Sequence, residues 1–488
     1  MSISSKRREF LLGLGAWGAV QTLQACSTPP SSLSPQSPLP VQPSWDVIQQ
    51  PEITQVRLGY LPTAAAAPLI VAQHLNFFTR YGMTEVQLVP WSSWTDWAVA
   101  VAGYDDKSPM VDGATAGGHC FSPLPELLTE GLLGINANTK DLEIATDSAN
   151  PDVMRQDKCP MYVLARLHTQ GGAILMHPRY RPLINLPYQR PWRPTFQLSR
   201  LLGNILRCGV LSALSPEMLW LRYWLASGNV NPLQDVQLGT MSFKETAKIF
   251  TEQPADLKTA DLKTADLISI PPLFPQMVDD RGLIAITTAS LWANHPGDIF
   301  ALRADWVDRY PNATQGLLHG LLTAQNWCDD PQNRRRLQRI LQMYLPIYAG
   351  SDSAELKELN RKPETNNPET KKPEPKKPDT NKSELNSSLG EIRYWSYEGK
   401  TVSYPYKSHD LWFLLEHARW GTLPKELEYK PIIDMVNRED LWRSAARTLG
   451  IPDTLMPAGP SRGVEQFFDG TTFNPGFSGE FGADSLKG

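Results

Sequence analysis

Residues 111–131 read Val111-Asp-Gly-Ala-Thr-Ala-Gly-Gly-His-Cys-Phe-Ser-Pro-Leu-Pro-Glu-Leu-Leu-Thr-Glu-Gly131. A short strand-like lead runs into small residues from Gly113 to Gly118, and a helix start follows. Ser122 suits the N-cap, Pro123 the first helical position, and Gly131 a left-handed stop. A glycine-rich strand-to-helix junction frees backbone N–H groups at the positive end of a helix dipole, which receives small anions. Gly118 and His119 are therefore candidate ligand contacts. The competing reading gives the glycines only a tight turn and close packing. Upstream, Trp91-Ser-Ser-Trp94-Thr-Asp-Trp97 places Trp94 where its indole N–H would wall such a site; core or rim is the ordinary alternative.

The flanking sequence sets the fold class. Val56 to Tyr60 alternates as a strand, Ala64 to Leu75 reads as a helix, Thr84 to Val89 as a strand, and the Trp94 segment as a helix. This strand–helix–strand rhythm predicts an α/β fold with a largely parallel sheet. Strands are expected again at Met161–Ala165, Gly172–Met176, Arg207–Leu211, Val236–Leu238 and Leu267–Ile270. Ser215 caps a helix running to Ala226, with Pro216 at its first position. From Phe300 the pattern turns helical, over Ala304–Pro311, Thr314–Cys328 and Asn333–Tyr344. Pro178 to Pro194 reads as a basic, aromatic surface loop, and 255–264 as a tandem repeat without a chemical role.

A chain of 488 residues accommodates two domains or one two-lobed unit. Its net charge of −4 gives no basis for a nucleic-acid partner. Past the N-terminus no apolar run approaches the roughly 20 residues that span a bilayer. Residues 1–26 read as an address: Ser5-Lys-Arg-Arg-Glu-Phe-Leu11 resembles a twin-arginine export signal, and Leu23-Gln-Ala-Cys26 resembles a lipobox. Cleavage there would leave Cys26 as a lipidated N-terminus. Residues 27–53, rich in Ser and Pro, form a tether, and 351–388 form a low-complexity insert that cannot bury enough apolar surface to order. Cys120, Cys159, Cys208 and Cys328 fit no zinc spacing; an oxidising compartment allows three complete disulfide pairings, and buried thiols are the default.

Longer motifs carry a family resemblance. They are Leu219-Trp-Leu-Arg-Tyr-Trp-Leu225, Ala301-Leu-Arg-Ala-Asp-Trp-Val-Asp-Arg-Tyr-Pro311, Asn326-Trp-Cys-Asp-Asp-Pro331, Ser403-Tyr-Pro-Tyr-Lys-Ser-His-Asp-Leu-Trp-Phe413, Asn437-Arg-Glu-Asp-Leu-Trp-Arg443 and Ser461-Arg-Gly-Val-Glu-Gln-Phe-Phe-Asp-Gly470. With these the chain resembles the cyanobacterial nitrate- and bicarbonate-binding lipoproteins of ABC importers. The resemblance implies a two-lobed periplasmic binding protein of type II-like form, each lobe a mostly parallel sheet flanked by helices. It divides the chain into a first lobe at 54–155, a second at 156–295, return helices at 296–350 and a C-terminal part at 389–488 packed on the lobes. It further implies a solute in the interlobe cleft, a permease–ATPase partner, and a lipid-anchored periplasmic monomer.

The resemblance also implies site residues. Trp94 matches the indole that faces the oxyanion. Gly172 falls where the family has a glutamine, with Gln170 and His168 nearby, and Glu217 falls where it has a histidine. Ala64 and Ala65 replace a Thr-Asp pair, and Pro271, Pro272 and Leu273 replace an acidic-Pro-Trp motif. The frame is kept and the lining is changed, so a small oxyanion loses donors worth about 1.5–3 kcal/mol each. No cofactor is expected. Glu217 on a solvated helix end would have no ligand role; lining the cleft, it would repel an anion and point to a ligand with a cationic part, or to a metal such as calcium bridging to an anion, as the bicarbonate-binding branch implies.

Three functions follow in order. The first is a solute-binding component that captures a small anion-like solute of the nitrate, nitrite or bicarbonate class. The second is a binding-protein scaffold that has lost transport and serves as a membrane-tethered sensor. An enzyme is the weakest, since adjacent His119 and Cys120 on an extended segment point apart and lack a third orienting group.

Overall fold

The computed structural model describes residues 49–103, 115–145, 152–177, 205–241, 245, 265–272, 283–345 and 392–476. The expected signal, Cys26, most of the tether, the 178–194 loop, the 255–264 repeat and the 351–388 insert lie outside the described residues.

Thirteen of the described strands build the frame. The chain forms β1 (Gln55–Tyr60), β2 (Glu85–Pro90), β3 (Gly117–Cys120), β4 (Leu133–Asn136), β5 (Leu142–Ile144), β6 (Val153–Arg155) and β7 (Met161–Arg166). It continues through β8 (Ala173–Met176), β9 (Leu206–Val210), β10 (Val236–Thr240), β11 (Leu267–Ile270), β12 (Leu283–Thr287) and β13 (Ile299–Arg303). Two five-stranded sheets result, in the orders β2-β1-β3-β13-β7 and β10-β9-β11-β8-β12, and β4–β6 form a small third sheet.

The two large sheets share one plan. In each, the first three strands of the order pair in parallel and the last two antiparallel to their neighbours. The parallel part matches the βαβ rhythm; the antiparallel strands are those flanking the places where the chain changes sheet. It crosses at 167–172, between β7 and β8, and returns at 288–298, between β12 and β13. Pairing of β7 with β13 keeps β7 in the first sheet, so the change of sheet follows Arg166, later than a boundary at 156.

Residues 115–131 depart from the open glycine loop that the sequence suggests. Gly117 and Gly118 lie within β3 at φ +137° rather than in an open loop. A Cβ at Gly118 would sit 2.2 Å from the Gly59 carbonyl oxygen, and one at Gly117 would sit 2.2 Å from that of Ala301. These glycines let β3 fit between β1 and β13. Both glycines pack backbone against backbone, and Gly118 is not among the residues that line the cavity described below. Ser122 is not the N-cap; the helix spans Leu124–Glu130 with Pro123 before it, and Ser122 Oγ accepts from Arg166 instead. Gly131 ends that helix in the left-handed region as expected.

Helix Pro311–Asp329 lies against Ala67–His74 and Phe77–Arg80 on the first sheet. Its far end ties in the C-terminal segment. The Asp329 carboxylate accepts the N–H groups of Tyr394, Trp395 and Ser396, and Gln325 Nε2 donates to the carbonyls of Arg166 and Tyr394. Segment 392–476 then lies along β7: Arg438 N–H donates to Val163 O, and Arg166 N–H to Ser403 O. The Arg166 guanidinium, wholly buried, pairs with the equally buried Asp410. Cys120, Cys159, Cys208 and Cys328 are free thiols in buried positions.

Candidate functional site

Both crossovers line one cavity. The first supplies His168 and Gly172; the second supplies Thr288, His295, Pro296, Gly297 and Asp298. Helix Pro216–Ser227 adds Glu217 and Trp220, and the end of β11 adds Ile270 with Pro272 just beyond it. The cavity holds about 20 Å³, where one water needs roughly 10–15 Å³ on the same measure. It has room for one or two water-sized groups.

The polar wall is ordered by three side chains. His119 Nε2 lies 2.7 Å from Asp298 Oδ2. The backbone N–H of Asp298 donates to His168 Nε2 at 3.0 Å, which places the His168 proton on Nδ1. His295 Nδ1 lies 3.1 Å from the Pro296 carbonyl, so Nδ1 donates and Nε2 is left as a bare acceptor without a partner. Burial drives the His295 imidazole down to about 3, which keeps it neutral at ordinary pH. Burial alone would raise Asp298, but the hydrogen bond with His119 and the nearness of His168 hold its carboxyl below the usual carboxylate range. Glu217 goes the other way. Burial first, and then the negative charge of Asp298, push it up to about 7.

The expected site residues divide. His168, Gly172 and Glu217 do line the cavity. His119 stands behind it and orients Asp298. Trp94 stands one layer further back, edge-on to His119 at 5.3 Å and to Phe121 at 5.1 Å, and is almost wholly buried. It supports the site through His119 and is not among the lining residues. Gln170 is also outside the lining, held in the left-handed region at φ 63°. At Gly172 a Cβ would come within 2.9 Å of Thr288 Cγ2, so threonine occupies the space a longer residue would need. Ala64 and Ala65 are buried beneath, with Ala64 N–H donating to Pro272 O.

Sequence reasoning missed Asp298, His295, Trp220 and Thr288. His295-Pro-Gly-Asp298 reads as an ordinary turn, and only its place ahead of β13 gives it a role. The His119–Cys120 pair gives no nucleophile: Cys120 is fully buried, and burial followed by Asp298 and Glu126 pushes its thiol well above the usual range. Among the described residues no cluster of three or more His, Cys, Asp or Glu could hold a metal ion.

The model of the NMT1-like family matches residues 49–342, which contain the two large sheets, both crossovers and every lining residue. The chain belongs to the NMT1-like family. Within it, the chain is 32% identical over 492 residues to the nitrate/nitrite binding protein NrtA of a Nostoc species, covering 99% of this chain and 98% of that one. It is 33% identical over 488 residues to the bicarbonate-binding protein CmpA of Synechococcus elongatus, covering 96% and 95%. The crystal structure of the periplasmic nitrate-binding protein NrtA from Synechocystis superposes with a TM-score of 0.66 at 29% identity, covering 88% of this chain and 97% of that one. The bicarbonate transport ATP-binding protein CmpC of Synechocystis is 26% identical over 428 residues, which cover 87% of this chain and 54% of that one.

Proposed function

We propose that this member of the NMT1-like family is the solute-binding component of an ABC importer, working in the periplasm and delivering a small solute to a permease–ATPase complex. The observation that carries the reading is the cavity itself, walled by both segments where the chain passes between its two sheets. A solute lodged there touches both crossovers at once, so its binding energy is coupled to the relative setting of the sheets. Binding by closure needs no covalent step, and no nucleophile is needed. The nitrate- and bicarbonate-binding relatives support a solute in the same size class, and the ATP-binding relative supports an importer setting. The lipid anchor at Cys26 belongs to the same proposal, as does a monomeric state.

A thermal-shift panel of nitrate, nitrite, bicarbonate with and without calcium, cyanate, sulfonates and small zwitterions tests it, with calorimetry on each hit. A solute at about 100 times its Kd stabilises by roughly 2.7 kcal/mol. A hit lost in His168→Ala supports the reading. A protein that is silent to the whole panel and does not dock on a permease counts against transport and favours a sensor built on the same scaffold.

A further inference from the structure

The cavity is small, and its polarity is opposite to what an oxyanion needs. Nitrate and bicarbonate are planar, trigonal and four heavy atoms large. A site for such an anion presents donors and positive charge. Here the lining contains two carboxyl side chains, Glu217 and Asp298, and neither lysine nor arginine. His295 turns its one N–H to Pro296 and keeps Nε2 as a buried acceptor with no partner. Thr288 Oγ1 spends its hydrogen on the Gly172 carbonyl at 3.1 Å. His168 Nδ1 is the one unpartnered buried donor among the lining side chains, and it fills the space in front of Gly297 where a Cβ would lie 2.5 Å away. Trp220 completes the wall with an aromatic ring set edge-on to His295 at 5.3 Å.

We propose that this pocket takes a small, planar, hydrogen-bond-donating cation of the guanidinium class in place of a trigonal oxyanion. The proposal rests on the solute-binding reading and specifies its substrate. A guanidinium ion has the trigonal outline of nitrate with N–H donors at every corner. It gives His295 Nε2 the donor it lacks and sets positive charge beside the carboxyl groups of Glu217 and Asp298. Nitrate offers acceptors alone and would set oxygen against carboxylate oxygen.

The test is calorimetry and thermal shift on the full chain with guanidinium chloride at millimolar concentration or below, far under its denaturing range. Urea serves as the neutral isostere, sodium chloride as the salt control, and nitrate and bicarbonate, with and without calcium, as the anionic arms. The expected result is guanidinium binding at least tenfold tighter than urea, no nitrate response, and at least a tenfold loss in both Glu217→Gln and His295→Phe. Ligand-free melting of each variant reports folding, and His295→Ala serves if the phenylalanine variant fails to fold. Binding of nitrate or bicarbonate with guanidinium silent overturns the inference and leaves the solute-binding reading standing. Guanidinium binding unchanged in every folded variant overturns it too, by placing the ion elsewhere. Silence to every probe overturns the inference and counts against the solute-binding reading as well.

Discussion

Nε2 of His119 and Oδ2 of Asp298 meet at 2.7 Å across 179 residues of sequence, joining β3 to the second crossover. Asp298 in turn lines the cavity, and Trp94 backs His119. The indole and imidazole singled out in the sequence thus act on the site from behind, through one carboxylate.

Removing that support is expected to be costly. His119→Leu leaves the buried Asp298 carboxylate without its principal hydrogen-bond partner, and an unsatisfied buried polar group costs about 1–3 kcal/mol, more when charged. Urea unfolding at pH 7 checks this. The lowered carboxyl of Asp298 contributes stability that is present above its unfolded value near pH 4 and lost as pH falls below it. The stability gap between Asp298→Asn and the parent should therefore narrow in acid.

Glu217 predicts the reverse slope. Its folded carboxyl titrates near 7 against 4.5 for the free group, facing Asp298 with His168 and a neutral His295 beside it. Folding is unaffected below about pH 4.5, is increasingly penalised as pH rises toward 7, and the penalty is constant above that. Glu217→Gln should be more stable than the parent at pH 8, by up to roughly 3 kcal/mol, and indistinguishable at pH 4. Melting temperatures across that range decide it.

Gly118→Ala tests the packing role of the quoted stretch. A methyl group 2.2 Å from the Gly59 carbonyl, on a backbone at φ +137°, forces β1 and β3 apart. The expected loss is about 3 kcal/mol or more, seen as low soluble yield or a lowered melting temperature. A fully folded variant that has merely lost its solute would restore the anion-loop reading.

The space behind Gly172 is set by Thr288. Gly172→Gln alone should destabilise by about 1–3 kcal/mol through overpacking. Adding Thr288→Ala removes Cγ2 and should recover part of that, so a double-mutant cycle should show favourable coupling.

Much of the frame was legible because its strands announce themselves by alternation and its helices by caps. Leu267–Ile270 matched residue for residue, and helix Pro216–Ser227 began where Ser215-Pro216 placed it. The strand Ile299–Arg303 sits where the sequence pattern is helical, because it is buried along nearly its whole length, shows no alternation, and runs directly into a helix at Ala304. The small sheet β4–β6 escaped because each strand is three or four residues long. The site was half legible. His168, Gly172 and Glu217 sit beside the ends of recognisable elements, whereas Asp298 and His295 acquire their role only when a turn far along the chain folds back on β3 and β7.

Arg166 lies inside the stretch matched by the family model, yet its counter-charge, Asp410, lies 68 residues beyond that stretch's last residue at 342. A gene fragment cut at the family boundary would encode both sheets and the entire cavity wall while removing the carboxylate with which the buried Arg166 guanidinium is paired. Dissection or grafting of this module therefore has to carry the C-terminal helices along. The unit that can be inherited as a recognisable domain is smaller than the unit that can be made as a stable protein.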